Sequence, residues 1–342
     1  MPAATKTKDD GVAAKKLNGE YLPPVRSDDP VIAIACSDLH LSERAPSARV
    51  HEDEWFDAMA RPLSQLKSLQ EMYGCPVLCA GDIFDKWNSS AELINFTIEH
   101  LPEDFIAIPG QHDLAYHSTK VIDRTAFWTL AAARSITPLL QPGSDYCNIG
   151  DDGIDGNGFC TVVGFPFGHG VEAPVYTNDI LIALIHEYTW IPGKSYPDAP
   201  KKGNAATKGD WQGYDICITG DNHIPFIIRC SKTLIYNPGS LMRRHADQVD
   251  HHPEVGLIHK SKRITRYRLD ISKDIIDSAP DGTVPLGSGA EMAAFMQDLA
   301  SLTLGQLDFR EAMKRVLRVE DPPEEVQRAV LEAMGEGNGR PE

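Results

Sequence analysis

Apolar residues fall into two rhythms along this chain. Short continuous runs rich in β-branched residues, VIAIACS from residue 31, PVLCA at 76–80 and FIAIP at 105–109, read as strands buried on both faces. Between them the apolar positions recur at helical spacing. Trp55, Phe56, Met59, Leu63, Leu66 and Leu69 predict a helix within 51–73, which Pro62 is expected to kink or split. Residues 90–100 and 119–133 read as further helices. This alternation predicts an α/β layered domain. From about residue 145 the texture turns β-rich, with YCNIG, FCTVVGF, ILIALIH, DICITG, FIIRC, TLIYN, VGLIH and ITRYRL as strand candidates. A second sheet packed on the first, or continuing it, would give a four-layer αββα sandwich.

The ends of the chain lack these rhythms. Residues 1–28 are polar and poor in bulky apolar side chains, as expected of a flexible arm. Residues 29–272 form the expected main domain. Residues 273–289 read as a linker, and 290–342 carry three short amphipathic helix-like segments expected to cap the domain or bind a partner. Residues 191–213, rich in Pro, Gly and Lys, are a long loop of the kind that is usually functional or disordered.

Composition narrows the class. The chain has 342 residues, 42% of them hydrophobic, enough for one large domain with an appendage. Its net charge of −16 argues against a nucleic-acid coat protein. It leaves room for a nucleic-acid enzyme, because bound cations invert the field locally. Seven scattered cysteines without a CxxC pair read as reduced, mostly buried thiols. No leader and no membrane-spanning run is evident, and the expectation is a cytoplasmic protein.

Candidate chemistry sits at the ends of the strand-like runs. SDLH (Asp38, His40), GDIFD (Asp82, Asp85), GQHD (Gln111, His112), LIHEY (His186) and GDNH (Asp221, His223) follow one another in order. A pair of divalent ions about 3.5–4 Å apart needs a bridging carboxylate and several further ligands, gathered from several strand ends. Asp38 and His40, one residue apart in an extended segment, would point to one side and reach one ion. Asp82 is the candidate bridge, and His186 and His223 end later strands.

These motifs resemble those of the calcineurin-like metallophosphoesterases, whose pattern is DxH, GDxxD, GNH, H and GHxH. The likeness covers roughly residues 31–270 and marks 29–272 as a metallophosphoesterase catalytic domain. Within that superfamily SDLHLSE, AGDIFDKW, PGQHDL and YNPGSLMRR look most similar to SbcD-type DNA repair exonucleases, including short phage-encoded versions. The resemblance implies a first metal on Asp38, His40, Asp82 and His223, and a second on Asp82, Gln111, His186 and Asp221. It implies in-line attack on phosphorus by a metal-bridging hydroxide. His112 would stabilise the transition state or protonate the leaving oxygen, and the Asp85 carboxylate would orient His112. The sequence departs from the pattern at Gln111, where the family has Asn, and at Asp221, where it usually has His. An added carboxylate favours Mn2+, with Mg2+, Fe2+ or Zn2+ as alternatives, and a more weakly retained second ion.

The implied substrate is DNA, cut by exo- or endonucleolytic hydrolysis of phosphodiester bonds. Arg243 and Arg244, after the NPGS turn, are candidate phosphate contacts. Lys201, Lys202 and Trp211 in the 191–213 loop are candidate contacts for frayed or single strands. Lys260, Lys262, Arg266 and Arg268 would share one face of a strand, read first as charge protecting a sheet edge. The resemblance further implies an SMC-like, SbcC-type ATPase partner at the C-terminal helices, a homodimer as a further expectation, and a bacterial or phage-infected cell. Two rival readings remain: a phosphoesterase for a small nucleotide, cyclic nucleotide or phosphoprotein, and a non-catalytic scaffold of the same fold.

Overall fold

A computed structural model of the protein describes residues 16–17, 20–21 and 28–277, except 151–158, 177 and 196–198. The chain divides into two compact units, Met1–Ala279 and Pro280–Glu342, and every described residue lies in the first. The expected C-terminal helices and most of the expected linker and N-terminal arm therefore fall outside the described residues. Within the arm, β1 (Lys16–Leu17) pairs antiparallel with β2 (Glu20–Tyr21).

Two mixed sheets of six strands make up the body. The first runs in the order β14-β13-β3-β4-β5-β6, from β3 (Val31–Cys36), β4 (Val77–Cys79), β5 (Phe105–Ala107), β6 (Thr137–Pro138), β13 (Glu254–His259) and β14 (Ile264–Arg268). The second runs β11-β12-β10-β9-β8-β7, from β7 (Tyr146–Ile149), β8 (Cys160–Phe165), β9 (Ile180–Ile185), β10 (Ile216–Thr219), β11 (Phe226–Cys230) and β12 (Thr233–Asn237). Each has a parallel centre, and antiparallel strands β13, β14, β11 and β7 flank it. The central strands are continuous apolar runs because both of their faces are covered.

Alternate residues of one strand feed different cores. Ala33, Ala35, Leu78 and Ile106 face the second sheet and meet Val162, Ile182, Leu184 and Ile218. Ile34, Cys36, Val77 and Phe105 face outward, against α1 (Trp55–Tyr73), α2 (Ala91–His100) and α3 (Ala126–Ala132). The outer face of the second sheet, with Phe165, Ala183 and Ile235, is covered by Ala205, Trp211 and Tyr214. Short 3-10 turns at Lys201–Gly203, Ala205–Thr207 and Gly209–Trp211 carry that cover. The fourth layer of the sandwich is thus built from single turns where the first layer has α-helices.

Pro62 lies inside α1 without breaking it. Met59, Leu63 and Leu66 on either side are fully buried on the sheet, and that packing outweighs the missing backbone bond. The helix stops at Gly74 in the left-handed conformation, whose N–H donates to the Gln70 carbonyl (2.7 Å). The expected helix at 119–133 is two pieces. Ser118 caps a 3-10 helix, Thr119–Arg124, and Thr125 then caps α3 by accepting from the Trp128 N–H (3.2 Å). All the cysteines are free thiols, and no described helix is long and apolar enough to cross a membrane.

Candidate metal centre

The carboxyl ends of β3, β4 and β5 in one sheet and β9 and β10 in the other carry the motif residues into one place. Asp38 and His40 follow β3, Asp82 follows β4, Gln111 and His112 follow β5, His186 follows β9, and Asp221 and His223 follow β10. The backbone there is not extended. Asp38 (φ 52°), His40 (47°), Asp82 (54°) and Asp221 (74°) all sit in the left-handed region, which Asp and His tolerate better than most residues. Asp38 and His40 therefore share a side through two left-handed kinks, and not through strand alternation as the spacing suggested. A Cβ at Gly81 would collide with His186, and one at Gly110 with Asp82, so these motif glycines permit the close approach of the loops.

Two groups of ligand atoms result. Around the first, Nε2 of His40 lies 3.1 Å from Nε2 of His223, and each is 3.7 Å from Oδ1 of Asp38. Around the second, Oε1 of Gln111 lies 2.6 Å from Nε2 of His186, while the Gln111 amide donates to Asp221 Oδ1 (2.6 Å). Asp82 stands between them. Its Oδ2 is buried without a hydrogen-bond partner, 3.4 Å from His186 Nε2 and 3.7 Å from His40 Nε2. An orphaned buried carboxylate oxygen facing converging imidazoles is the pattern a cation satisfies. Asp38–His40–His223, His40–Asp82–His112 and Asp38–Asp82–His186 each bring their ligand atoms within 4.8 Å of one another. The residues fit a pair of divalent ions, with Asp82 shared.

The charges agree with that fit. Burial works against a proton on His186, but Asp82, Asp38 and Asp221 outweigh it and push the ring up to about 10. Burial likewise opposes charge on Asp82, yet His186, His40 and His112 hold its carboxyl far below the usual range. His223 moves down to about 4, because burial is reinforced by His40 and Arg244 and only partly countered by Asp38. His40 is raised despite burial, by Asp38 and Asp82. Protonation is therefore favoured at His40 over His223. Ion uptake competes with protonation at His40 and His186.

The support behind the ligands differs from what the resemblance implies. Nδ1 of His112 donates to the backbone carbonyl of Asp85 (2.8 Å), not to its carboxylate. That carboxylate accepts from Nη1 of Arg244 (2.7 Å) and lies 3.7 Å from Nδ1 of His40, a buried nitrogen without a partner. Once a cation occupies Nε2 of His40, the proton must reside on Nδ1, and Asp85 is the carboxylate beside it. One further buried residue, Asp113, lies outside the candidates that the sequence marks. The Asp113 carboxylate accepts from the N–H groups of Ile83 (3.2 Å), Phe84 (3.0 Å) and Gly110 (3.0 Å), tying the Asp82 loop to the Gln111 loop. Burial and the charge of Asp82 push it up to about 7 despite those donors. Its only sequence signal was an acid directly after His112.

Several expected substrate contacts lie elsewhere. Arg243 is buried, donates to the Val249 carbonyl (3.2 Å) and pairs with Asp274 (3.2 Å). Asp274 also pairs with Arg49 and Arg61, so this arginine anchors the start of the stretch read as a linker. Arg244 is buried against Asp85. Trp211 is buried in the outer core with Lys208 Nζ 4.6 Å from its ring centroid, and offers no stacking face. Lys201 and Lys202 are exposed, and Lys202 lines a cavity that reaches His186 and Asp221. Lys260 and Lys262 lie in the turn before β14, so they do not share its face, and Arg266 is paired with Glu254 (2.6 Å).

Three solved structures are similar to part of this chain. A 5′-nucleotidase from Candida albicans is 10% identical over 80% of this chain, with a TM-score of 0.44, and the chain spans 58% of that protein. A calcineurin-like phosphoesterase from Bacillus subtilis is 14% identical, covering 70% of this chain and 90% of its own, with a TM-score of 0.41. A novel archaeal phosphodiesterase is 14% identical over 69% of this chain and 99% of its own, with a TM-score of 0.35. No curated protein sequence matches. The sequence model of the calcineurin-like phosphoesterase superfamily domain matches residues 32–262, a span that holds every residue of the converging cluster. The chain therefore belongs to the calcineurin-like phosphoesterase superfamily, a family of divalent-metal-dependent hydrolases of phosphate esters.

Proposed function

We propose that this protein is a Mn2+-dependent phosphodiesterase that cleaves DNA, of the SbcD type. The observation that carries the diester reading is the space on both sides of the cluster. A cavity of about 390 Å3 reaches His186 and Asp221, and another of about 450 Å3 reaches His223. Phosphorus in a diester bears a substituent on each side, whereas a monoester needs room on one. Lys194 and Arg268 line the second cavity and suit flanking phosphates of a polynucleotide.

Bound ions would supply charge neutralisation at the phosphate oxygens and a water of lowered pKa. The chain's own residues do the rest. Asp38, His40, Asp82, Gln111, His186, Asp221 and His223 hold the ions. The carbonyl of Asp85 fixes the proton of His112 on Nδ1, so only the imidazolium form can donate from Nε2 to a leaving oxygen.

The test is hydrolysis of bis-p-nitrophenyl phosphate with added Mn2+, followed by labelled single- and double-stranded DNA against mono- and cyclic nucleotides. Turnover of the diester and of DNA is expected, with loss in His112→Ala. Absence of any turnover would end the catalytic reading, and cleavage of small nucleotides alone would end the nuclease reading.

A further inference from the structure

The two cavities are chemically unlike. The one at His223 is lined by charged and imidazole side chains, among them His245, Asp247, His252 and Arg268. The one at His186 and Asp221 adds an apolar stretch of Phe167, Tyr188, Pro200 and three glycines to the polar side chains of His169, Glu187 and Lys202. An apolar, aromatic wall directly beside phosphate-ester chemistry calls for a flat apolar group on the substrate. Its volume of about 390 Å3 lies within the ~300–1,000 Å3 range of small-ligand pockets.

Backbone bonds build both walls. On one side the Phe167 N–H donates to the Pro109 carbonyl (3.2 Å), which joins the PFGHG turn to the end of β5 beside Gln111. The ring of Phe167 lies edge-on to His186, with centroids 6.2 Å apart. On the other side the Trp190 N–H donates to the Gly203 carbonyl (2.8 Å). A Cβ at Gly203 would meet the Tyr188 carbonyl, so glycine is what lets this segment close on Tyr188. The rim is open at Gly168 and Gly170, where a Cβ would meet nothing within 4 Å. Gly170 is exposed and, unlike Gly168 (φ 83°), is not in the left-handed region, so a side chain there meets no backbone strain.

We propose that this cavity is a nucleobase subsite, which seats the base of one of the two nucleosides joined by the scissile phosphate. Phe167 and Tyr188 supply the apolar walls, and Lys202 faces the sugar-phosphate beyond. The subsite rests on the phosphodiesterase reading and narrows it. A base lodged in a pocket selects nucleotides over other phosphate diesters without reading sequence, since every base has a π-face.

The experiment measures binding first, so that it does not depend on turnover. The Mn2+-loaded full chain is titrated calorimetrically with dTMP and with deoxyribose 5-phosphate, as wild type, Gly170→Ala and Gly170→Leu. Wild type and Gly170→Ala are expected to bind dTMP roughly tenfold tighter than the base-free compound, the scale of one base stack. In Gly170→Leu that gap is expected to close, with deoxyribose 5-phosphate binding unchanged. Equal affinity for the two compounds in wild type, or a gap that survives Gly170→Leu, overturns the subsite. Hydrolysis of the dinucleotide TpT and of its two single-abasic analogues then reports on the reading beneath it. If the affinity gap is present but no dinucleotide is cut, the phosphodiesterase reading has failed while the base site stands. If TpT is cut and Gly170→Leu raises KM equally for TpT and both abasic forms, the subsite has failed while the phosphodiesterase stands.

Discussion

The two halves of the metal centre are held in different ways. Around Asp38, His40 and His223 the outer support is ionic, with Arg244 gripping Asp85 and Asp85 facing His40. Around Gln111, His186 and Asp221 it is the backbone and the ligands themselves. Nδ1 of His186 meets the Ala80 carbonyl (2.5 Å), and the Asp221 N–H donates to Asp38 (3.1 Å). The first half has two imidazoles, and the second has an amide and an extra carboxylate. The contrast teaches that affinity and access can be divided within one site. A half braced by a partly buried ion pair can grip its ion, while a half bordered by a cavity with aromatic walls can admit substrate.

The largest expected effect removes the contrast altogether. Asp82→Ala takes away the shared ligand, so Mn2+ uptake should fall from two ions to none and turnover by roughly a thousandfold or more. Retention of one ion at wild-type affinity would show that Asp82 is not shared. Next comes Asp113→Ala, which strands the buried N–H groups of Ile83, Phe84 and Gly110 at ~1–3 kcal/mol each. Urea unfolding of the chelated protein should show a loss of about 3 kcal/mol or more, with a smaller loss for Asp113→Asn. A loss below ~1 kcal/mol would remove Asp113 from its assigned place between the two loops.

A smaller change should separate the halves. Asp85→Asn or Arg244→Met is expected to weaken only the ion at Asp38, His40 and His223, by about 10–100-fold, the usual scale for a residue behind a metal ligand. The double variant should be no worse than either single one, and His112→Ala should leave both ions in place. Additive losses would mean that Arg244 and Asp85 act separately. The mildest test is pH. His186 in the folded chain is raised to about 10, so its pairing with the carboxylates is fully present below about 6.5 and is lost as pH rises toward 10. The Tm of the chelated protein should fall by a few degrees across that window. Mn2+ affinity should rise across it, because the ion competes with that proton. A chelated protein equally stable at pH 7 and pH 9.5 would contradict the assignment.

Local patterns were legible where one physical rule dominated. VIAIAC and ILIALI are strands buried on both faces, and such burial leaves continuous apolar runs in the sequence. The helical spacing of Trp55, Met59 and Leu66 marked α1, although Pro62 suggested a break that packing overrides. Thr125 was harder to read, because a hydroxyl residue caps one helix as readily as it sits within another. Trp211 beside lysines resembles a stacking surface in sequence, and only the outer core shows its ring buried. Arg243 and Arg244 look alike in text, yet one holds Asp274 and the other Asp85.

The order of the elements, the placing of each motif at a strand end and the chemical kind of each candidate ligand were determined by the sequence itself. These depend on periodicity and side-chain type within a few residues. The left-handed kinks at Asp38, His40, Asp82 and Asp221, the Arg244–Asp85 pair and the cavity at His186 were decided by tertiary structure. Arg244 and Asp85 are 159 positions apart, and His186 reaches the Ala80 carbonyl across 106. Such contacts exist only once two sheets have packed face to face, and no short-range propensity records which distant partner a side chain will then meet.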